Sequence, residues 1–140
     1  MKIHHHKTVL VLGYSPDETK LHSLLRRRGC KVLHESRFMK TQRQYDLVVS
    51  FGYRRILSGE EITSLNCPII NLHMSYLPFN RGAHPNFWSF YDQTPLGVSI
   101  HLIDEGIDTG ATLWQTRVDL DPKLATFRDT YWTLFRCLED

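Results

Sequence analysis

The sequence predicts an α/β fold: a doubly wound, mostly parallel sheet with helices on both faces and a C-terminal antiparallel strand pair. Three observations predict it. TVLVLG (8–13), DLVVSF (46–51) and PIIN (68–71) are short apolar, β-branched runs of the kind covered on both faces in a parallel sheet. Helix-length segments separate these runs, as crossover connections require. Two later runs, GVSIHLID (97–104) and ATLWQTRV (111–118), are joined by EGIDTG and form the closing pair.

Each element has a local cause. After the first strand, Ser15 is placed to cap a helix, Pro16 suits its first turn and Glu18 completes a capping box. That helix carries Leu21, Leu24 and Leu25 on one face and should stop at Gly29. KVLH (31–34) makes the second strand. DLVVSF is the third, with Gly52 at its end, and Ser58 to Glu61 repeats the capping pattern ahead of a short helix of roughly ten residues. PIIN is the fourth strand. Residues 72–84 are rich in turn formers, and Pro85 to Asp92 reads as a short helix in which Trp88, beside Phe87 and Phe90, packs in the core. Phe127, Tyr131, Leu134 and Leu138 recur at helical spacing and predict an amphipathic helix docked on the sheet. There is no internal repeat and no linker, so residues 1–140 read as a single domain.

Composition narrows the function classes. With 41% hydrophobic and 23% charged residues in 140, the chain has the balance of a globular domain, which excludes disorder. A formal charge of +2 is too mild to imply a nucleic-acid partner, even with the runs Arg26 to Arg28 and Arg54 to Arg55. Cys30, Cys67 and Cys137 are odd in number and lack zinc spacing, so they read as reduced thiols of a cytoplasmic protein. No apolar stretch approaches the ~20 residues of a membrane helix, and no signal peptide is evident. The run His4 to His6 is set aside from the fold argument.

Ligands of a parallel sheet bind beyond the carboxyl ends of its strands. Asn71 and His73 lie at such an end, two residues apart, so strand geometry directs them to one side. Asp104 and Asp108 fall in DEGIDTG, a glycine-flanked loop able to fold over the same edge. An aspartate near a histidine raises the imidazole pKa and fixes its tautomer, as proton transfer needs. A nearby asparagine can donate to an oxyanion, and the three together point to acyl transfer. The competing readings are a hydrogen-bonded structural histidine and an ordinary turn aspartate. Other schemes fit less well. Gly-x-Ser-x-Gly is absent, and Cys67 begins a strand, at the wrong end of the sheet for a nucleophile. GYSPDE has one glycine where a dinucleotide fingerprint has three. His73, His84, His101, Asp104 and Asp108 lack metal-ligand spacing, so no metal is expected.

NLHMSYLPFNRG followed by DEGIDTG resembles the formyltetrahydrofolate-dependent formyltransferases, whose pattern is Asn-x-His, then Ser-x-Leu-Pro, then Asp-x-Gly. The resemblance is close over roughly 46–120 and implies a Rossmann-like fold. SFGYRRILS (50–58) is similar to the family segment that borders the folate, which implies Phe51, Tyr53, Arg55 and Leu57, with Asp104, as residues at the formyltetrahydrofolate site. PNFWSF and DEGIDTG look most like members acting on nucleotide-linked amino sugars. The resemblance implies that His73 takes the proton of the attacking amine, Asp108 orients His73, and Asn71 holds the oxygen of the tetrahedral intermediate. Alternatives are the same chemistry on a methionyl-tRNA or glycinamide ribonucleotide type of acceptor, or an inactive folate- or nucleotide-binding module. For a sugar nucleotide, Tyr14 and Tyr76 offer aromatic faces and Asn80 a donor, beside Phe79 and Arg81. The expected partners are these small molecules, with no nucleic acid, no membrane and no resident metal. Between His34 and Asp46 the chain is shorter than larger relatives, and it stops at Asp140 inside a helix, so the expectation is a catalytic domain shortened relative to the family, either a minimal member or a cut chain. ATLWQTRV sets Leu113 on one face and Trp114 and Val118 on the other, which leaves room for a second subunit in a homodimer.

Overall fold

The computed structural model describes residues 6–121, 123 and 125–140; His4 and His5 of the run set aside above lie outside the described residues. In chain order the elements are β1 (Thr8–Gly13), α1 (Leu21–Arg27), β2 (Lys31–Glu35), β3 (Leu47–Phe51), α2 (Gly59–Leu65) and β4 (Ile69–His73). There follow α3 (Pro85–Tyr91), β5 (Gly97–Leu102), β6 (Thr112–Arg117) and α4 (Phe127–Glu139). The strands form one sheet in the order β2-β1-β3-β4-β5-β6. β1 runs parallel to both β2 and β3, and β5 and β6 are antiparallel. This is the mostly parallel α/β sheet with a closing antiparallel pair that the sequence predicts. The chain divides into two compact units, one up to Ile70 and one from Asn71 onward.

In the first unit β1 is an inner strand, so Val9, Leu10, Val11 and Leu12 are all buried, as an unbroken apolar run demands. Its end is tightly built. Gly13 has φ +109°, and a Cβ there would overlap the Phe51 carbonyl oxygen and lie 2.6 Å from the Tyr53 nitrogen. The next residue donates its backbone N–H to the Phe51 carbonyl at 2.8 Å, and the Tyr14 ring occupies the space a side chain on Gly52 would need. The loops after β1 and β3 therefore interlock through two glycines. Gly13→Ala is expected to destabilise the protein by about 2 kcal/mol or more, through positive-φ strain and overpacking together. A urea midpoint equal to that of the wild type would show that the two loops can part freely.

The first helix begins later than expected, at Leu21 rather than after Ser15. Glu18 does reach back to the Ser15 N–H at 2.8 Å, but the N–H groups of Glu18 and Thr19 return to the Ser15 carbonyl at 3.0 and 3.2 Å and close a separate turn. Thr19 Oγ1 then accepts the Leu21 N–H at 3.2 Å. The predicted stop is in place: Gly29, φ 84°, donates to the Arg26 carbonyl at 2.9 Å and Cys30 to that of Leu25 at 3.1 Å, a Schellman ending. The buried residue of α1 is His22, while Leu21, Leu24 and Leu25 stay half-buried. His22 Nε2 donates to the Tyr14 carbonyl at 2.9 Å, and His34 Nε2 to that of Gly13 at 2.9 Å, so two imidazoles brace the loop after β1. The second helix starts as read, with both halves of the Ser58/Glu61 capping box formed, and ends at Asn66 with φ 47°.

In the second unit α4 packs against β5 and α3 and buries Thr130, Leu134, Phe135 and Leu138. Its N-terminus carries a Thr126/Asp129 capping box. Phe127, expected on the buried face, is instead exposed and stacks on Phe87 at 5.9 Å. Trp88 is also exposed, contrary to the expectation of a core position. The helix is only two turns long and turns Ser89 inward, which leaves Phe87, Trp88 and Tyr91 to pack edge-on or stacked on one another outside. Leu113 and Trp114 of β6 are both exposed within the chain. β4 runs two residues beyond the predicted PIIN, to His73.

Candidate active site

The second unit gathers the chemistry. Asn71 and His73 project from one side of β4, being two residues apart. On β5, Ser99 and His101 likewise share a side and are fully buried. A register shift follows Ile100, which faces Trp114, while His101 faces Thr112; Leu113 is the extra residue of a bulge. The bulge is on β6, opposite His101, whose own strand is uninterrupted. The fourth group comes from the loop after β5, where Asp108 adopts φ 51°.

Asp108 is the hub. One carboxylate oxygen, Oδ1, lies 3.3 Å from the Asn71 amide nitrogen and 3.3 Å from His101 Nε2. The other, Oδ2, accepts the Gly82 N–H at 2.7 Å and lies 3.5 Å from His73 Nε2. His73 Nε2 is also 3.2 Å from the Asn80 carbonyl oxygen, and His101 Nδ1 is 2.8 Å from that of Leu102. A carbonyl oxygen only accepts, so both of these ring nitrogens carry hydrogen. The structure thus brings together Asn71, His73 and Asp108, as the sequence reading requires. It adds His101, weighed there only as a metal ligand. The available signal was the period-2 alternation of VSIHL, which puts Ser99 and His101 on one face.

Burial and charge set distinct protonation states. Burial pulls the His73 imidazole below its ordinary pKa, and the attraction of Asp108 offsets this only in part. The expectation that aspartate raises this histidine therefore gives way to desolvation. Burial also opposes the charge on His101, but its hydrogen bonds to Asp108 and to the Leu102 carbonyl prevail and raise its pKa. For Asp108, burial pushes upward, and the hydrogen bond from His101, the nearby His73 and the Gly82 N–H more than reverse it. A neutral imidazole, a carboxylate and an imidazole biased toward its cation stand side by side.

The other predicted residues are placed as follows. Phe51 and Leu57 are buried, so their segment offers backbone rather than these side chains. Tyr53 Oη accepts the Phe38 N–H at 3.0 Å and Arg55 Nε–H at 3.3 Å, while the Arg55 guanidinium grips Glu61 with contacts of 2.6 and 3.2 Å. That pairing holds Glu61 below the usual carboxylate range. Ile56, passed over in the sequence, is the exposed apolar side chain of this loop. Asp104 accepts the Gly106 N–H at 3.0 Å and the Thr109 hydroxyl at 2.6 Å, closing its own turn. Tyr14 lies against Gly52, and the Arg117 guanidinium sits 5.0 Å above the Tyr76 ring. Asn80 gives its amide hydrogens to Ser89 at 2.9 Å and Thr94 at 2.6 Å.

The fold and the cluster define a class: an α/β domain in which an amide and an imidazole from one strand end meet a carboxylate from the loop after the next strand. Residues 14–131 match the formyl transferase family model, and the chain belongs to the formyl transferase family. It is similar to the formyltransferase PseJ from Anoxybacillus kamchatkensis, solved with UDP-4,6-dideoxy-4-formamido-L-AltNAc and tetrahydrofolate. That likeness has a TM-score of 0.85 at 34% identity, and covers 94% of this chain and 70% of the other. GDP-perosamine N-formyltransferase of Brucella melitensis biotype 1 is 30% identical over 122 residues, 82% of this chain and 45% of its own length. Methionyl-tRNA formyltransferase of a Synechococcus strain is 38% identical over 79 residues, 56% of this chain and 24% of its own. The chain thus spans 24% and 45% of the length of these two curated relatives.

Proposed function

We propose that this chain transfers a formyl group from formyltetrahydrofolate to the amine of a nucleotide-linked amino sugar. The observation that carries the reading is the convergence of Asn71, His73 and Asp108, with the two nitrogen groups each within 3.5 Å of the carboxylate. The likeness to PseJ over nearly the whole chain supports the acceptor class. The amine nitrogen attacks the formyl carbon, and the carbonyl electrons move onto oxygen. Collapse expels the folate nitrogen, which takes up a proton as its bond to carbon breaks. His73, neutral at physiological pH, accepts the proton that the amine loses. Asn71 gives one amide hydrogen to Asp108 at 3.3 Å; its amide nitrogen also lies 3.2 Å from His101 Nε2, and the hydrogen on that side is the donor for the oxyanion.

Phe51 to Leu57 presents the folate with backbone groups and exposed Ile56, while Arg55 is held at the loop by Glu61. Tyr76 offers a ring face to the nucleotide, with the Arg117 guanidinium 5.0 Å from its ring centre. The test is calorimetric titration of the protein with a non-reactive formyltetrahydrofolate analogue, alone and with a panel of nucleotide-linked amino sugars. Folate affinity strengthened by one sugar supports the reading and identifies the acceptor. Folate binding indifferent to every sugar, and weakened by salt only in the presence of methionyl-tRNA, favours the acceptor of the Synechococcus relative instead. A folded sample that binds no folate overturns both.

A further inference from the structure

The geometry points to Asn80 as a positioning residue that selects which nitrogen of His73 acts as the base. The inference rests on the reading of His73 as the proton acceptor and goes beyond it. Asn80 has a left-handed backbone, φ 55°, a conformation that asparagine tolerates better than most residues. Its carbonyl oxygen receives the Nε2–H of His73 at 3.2 Å. Since that ring is buried and biased toward its neutral form, a hydrogen on Nε2 leaves the lone pair on Nδ1. Nδ1 is then the base.

Asp108 is poorly placed to make this selection itself. Its Oδ2 stands 3.5 Å from Nε2, beyond ordinary hydrogen-bond length, and is already engaged by the Gly82 N–H at 2.7 Å. The carbonyl of Asn80 is instead held from behind. The side-chain amide nitrogen donates to Ser89 Oγ at 2.9 Å and to Thr94 Oγ1 at 2.6 Å. Ser89 is buried and passes its own hydroxyl hydrogen to the Pro85 carbonyl at 2.9 Å, so only its lone pairs face Asn80. The Thr94 N–H is anchored on the Ser89 carbonyl at 3.1 Å. Helix α3 and the turn that follows it therefore fix a bracket, Asn80 to Gly82. One jaw of it takes the hydrogen of His73, and the other donates to Asp108. With both amide hydrogens spent in this way, Asn80 serves the base rather than the acceptor phosphates.

The test uses Thr94→Val, which keeps the shape and removes the oxygen, with Thr94→Ser as the conservative rescue and Asn80→Ala as a second, independent cut. Imidazole nitrogen chemical shifts of isotope-labelled full chain report the His73 tautomer without any turnover. The wild type and Thr94→Ser should show hydrogen on Nε2; folded Thr94→Val and Asn80→Ala should show a mixture. In the same variants kcat should fall about tenfold or more, as for a misplaced catalytic group, with the KM for the amine changed less than twofold. An unchanged tautomer in either folded variant overturns the inference. So does a raised KM at constant kcat, which would make Asn80 an acceptor ligand. Failure of the base reading looks different: His73→Ala would keep near-normal turnover, whatever the tautomer in the other variants.

Discussion

His73→Ala should lower turnover by ~10² or more, the usual cost of losing a positioned general base. The wild-type pH profile carries a linked expectation. Because burial depresses the His73 pKa, the neutral, base-competent form persists as pH falls below about 6.5, the ordinary histidine value. Activity should be lost only as pH falls through the depressed value, so the acid limb of kcat/KM lies below that of a solvent-exposed histidine. Stability has the same sign: the share that His73 contributes is present above its unfolded pKa and is lost on acidification. His73→Ala should lose that acid limb. An acid limb that survives the substitution would move the base to another residue.

Asp108→Asn should cost a similar ~10² in turnover, and it should also destabilise the fold by about 1–3 kcal/mol, because His101 loses the carboxylate that accepts its hydrogen bond in a buried cluster. The carboxylate is 14% exposed and the His101 side chain 1%, so solvent cannot replace the lost charge. In the wild type the raised pKa of His101 means that its contribution is present below the unfolded value and lost as pH rises through the folded one. Without Asp108, burial is opposed only by the Leu102 carbonyl and the charge of Asp104, so that slope should shrink. Urea midpoints across the neutral range measure both effects. A wild-type midpoint and slope in Asp108→Asn would mean that the carboxylate does not sustain a charged His101.

Much of this was open to a reader of the sequence. The unbroken apolar run TVLVLG becomes the inner strand β1, and the Ser58/Glu61 capping box opens α2. Two-residue spacing put Asn71 and His73 on one face, because strand periodicity is a property of the backbone alone. The missed elements share a cause. Glu18 makes its capping contact with Ser15, yet the turn closes on itself and the helix waits for Leu21. Trp88 looked like core beside two phenylalanines, but a two-turn helix has one buried side, and Ser89 holds it.

The sequence by itself determined the strands, their parallel class and the amide, imidazole and carboxylate available for chemistry, since each depends on local periodicity or on residue identity. Only the tertiary structure decided which groups meet. The loop after β5 brought Asp108 back onto His101, and the hydroxyls of Ser89 and Thr94 turned Asn80 from a surface donor into a clamp behind His73. It also decided the direction in which His73 titrates. A neighbouring charge can be read from a motif, but the depth of burial that outweighs it comes from the packing of the whole unit.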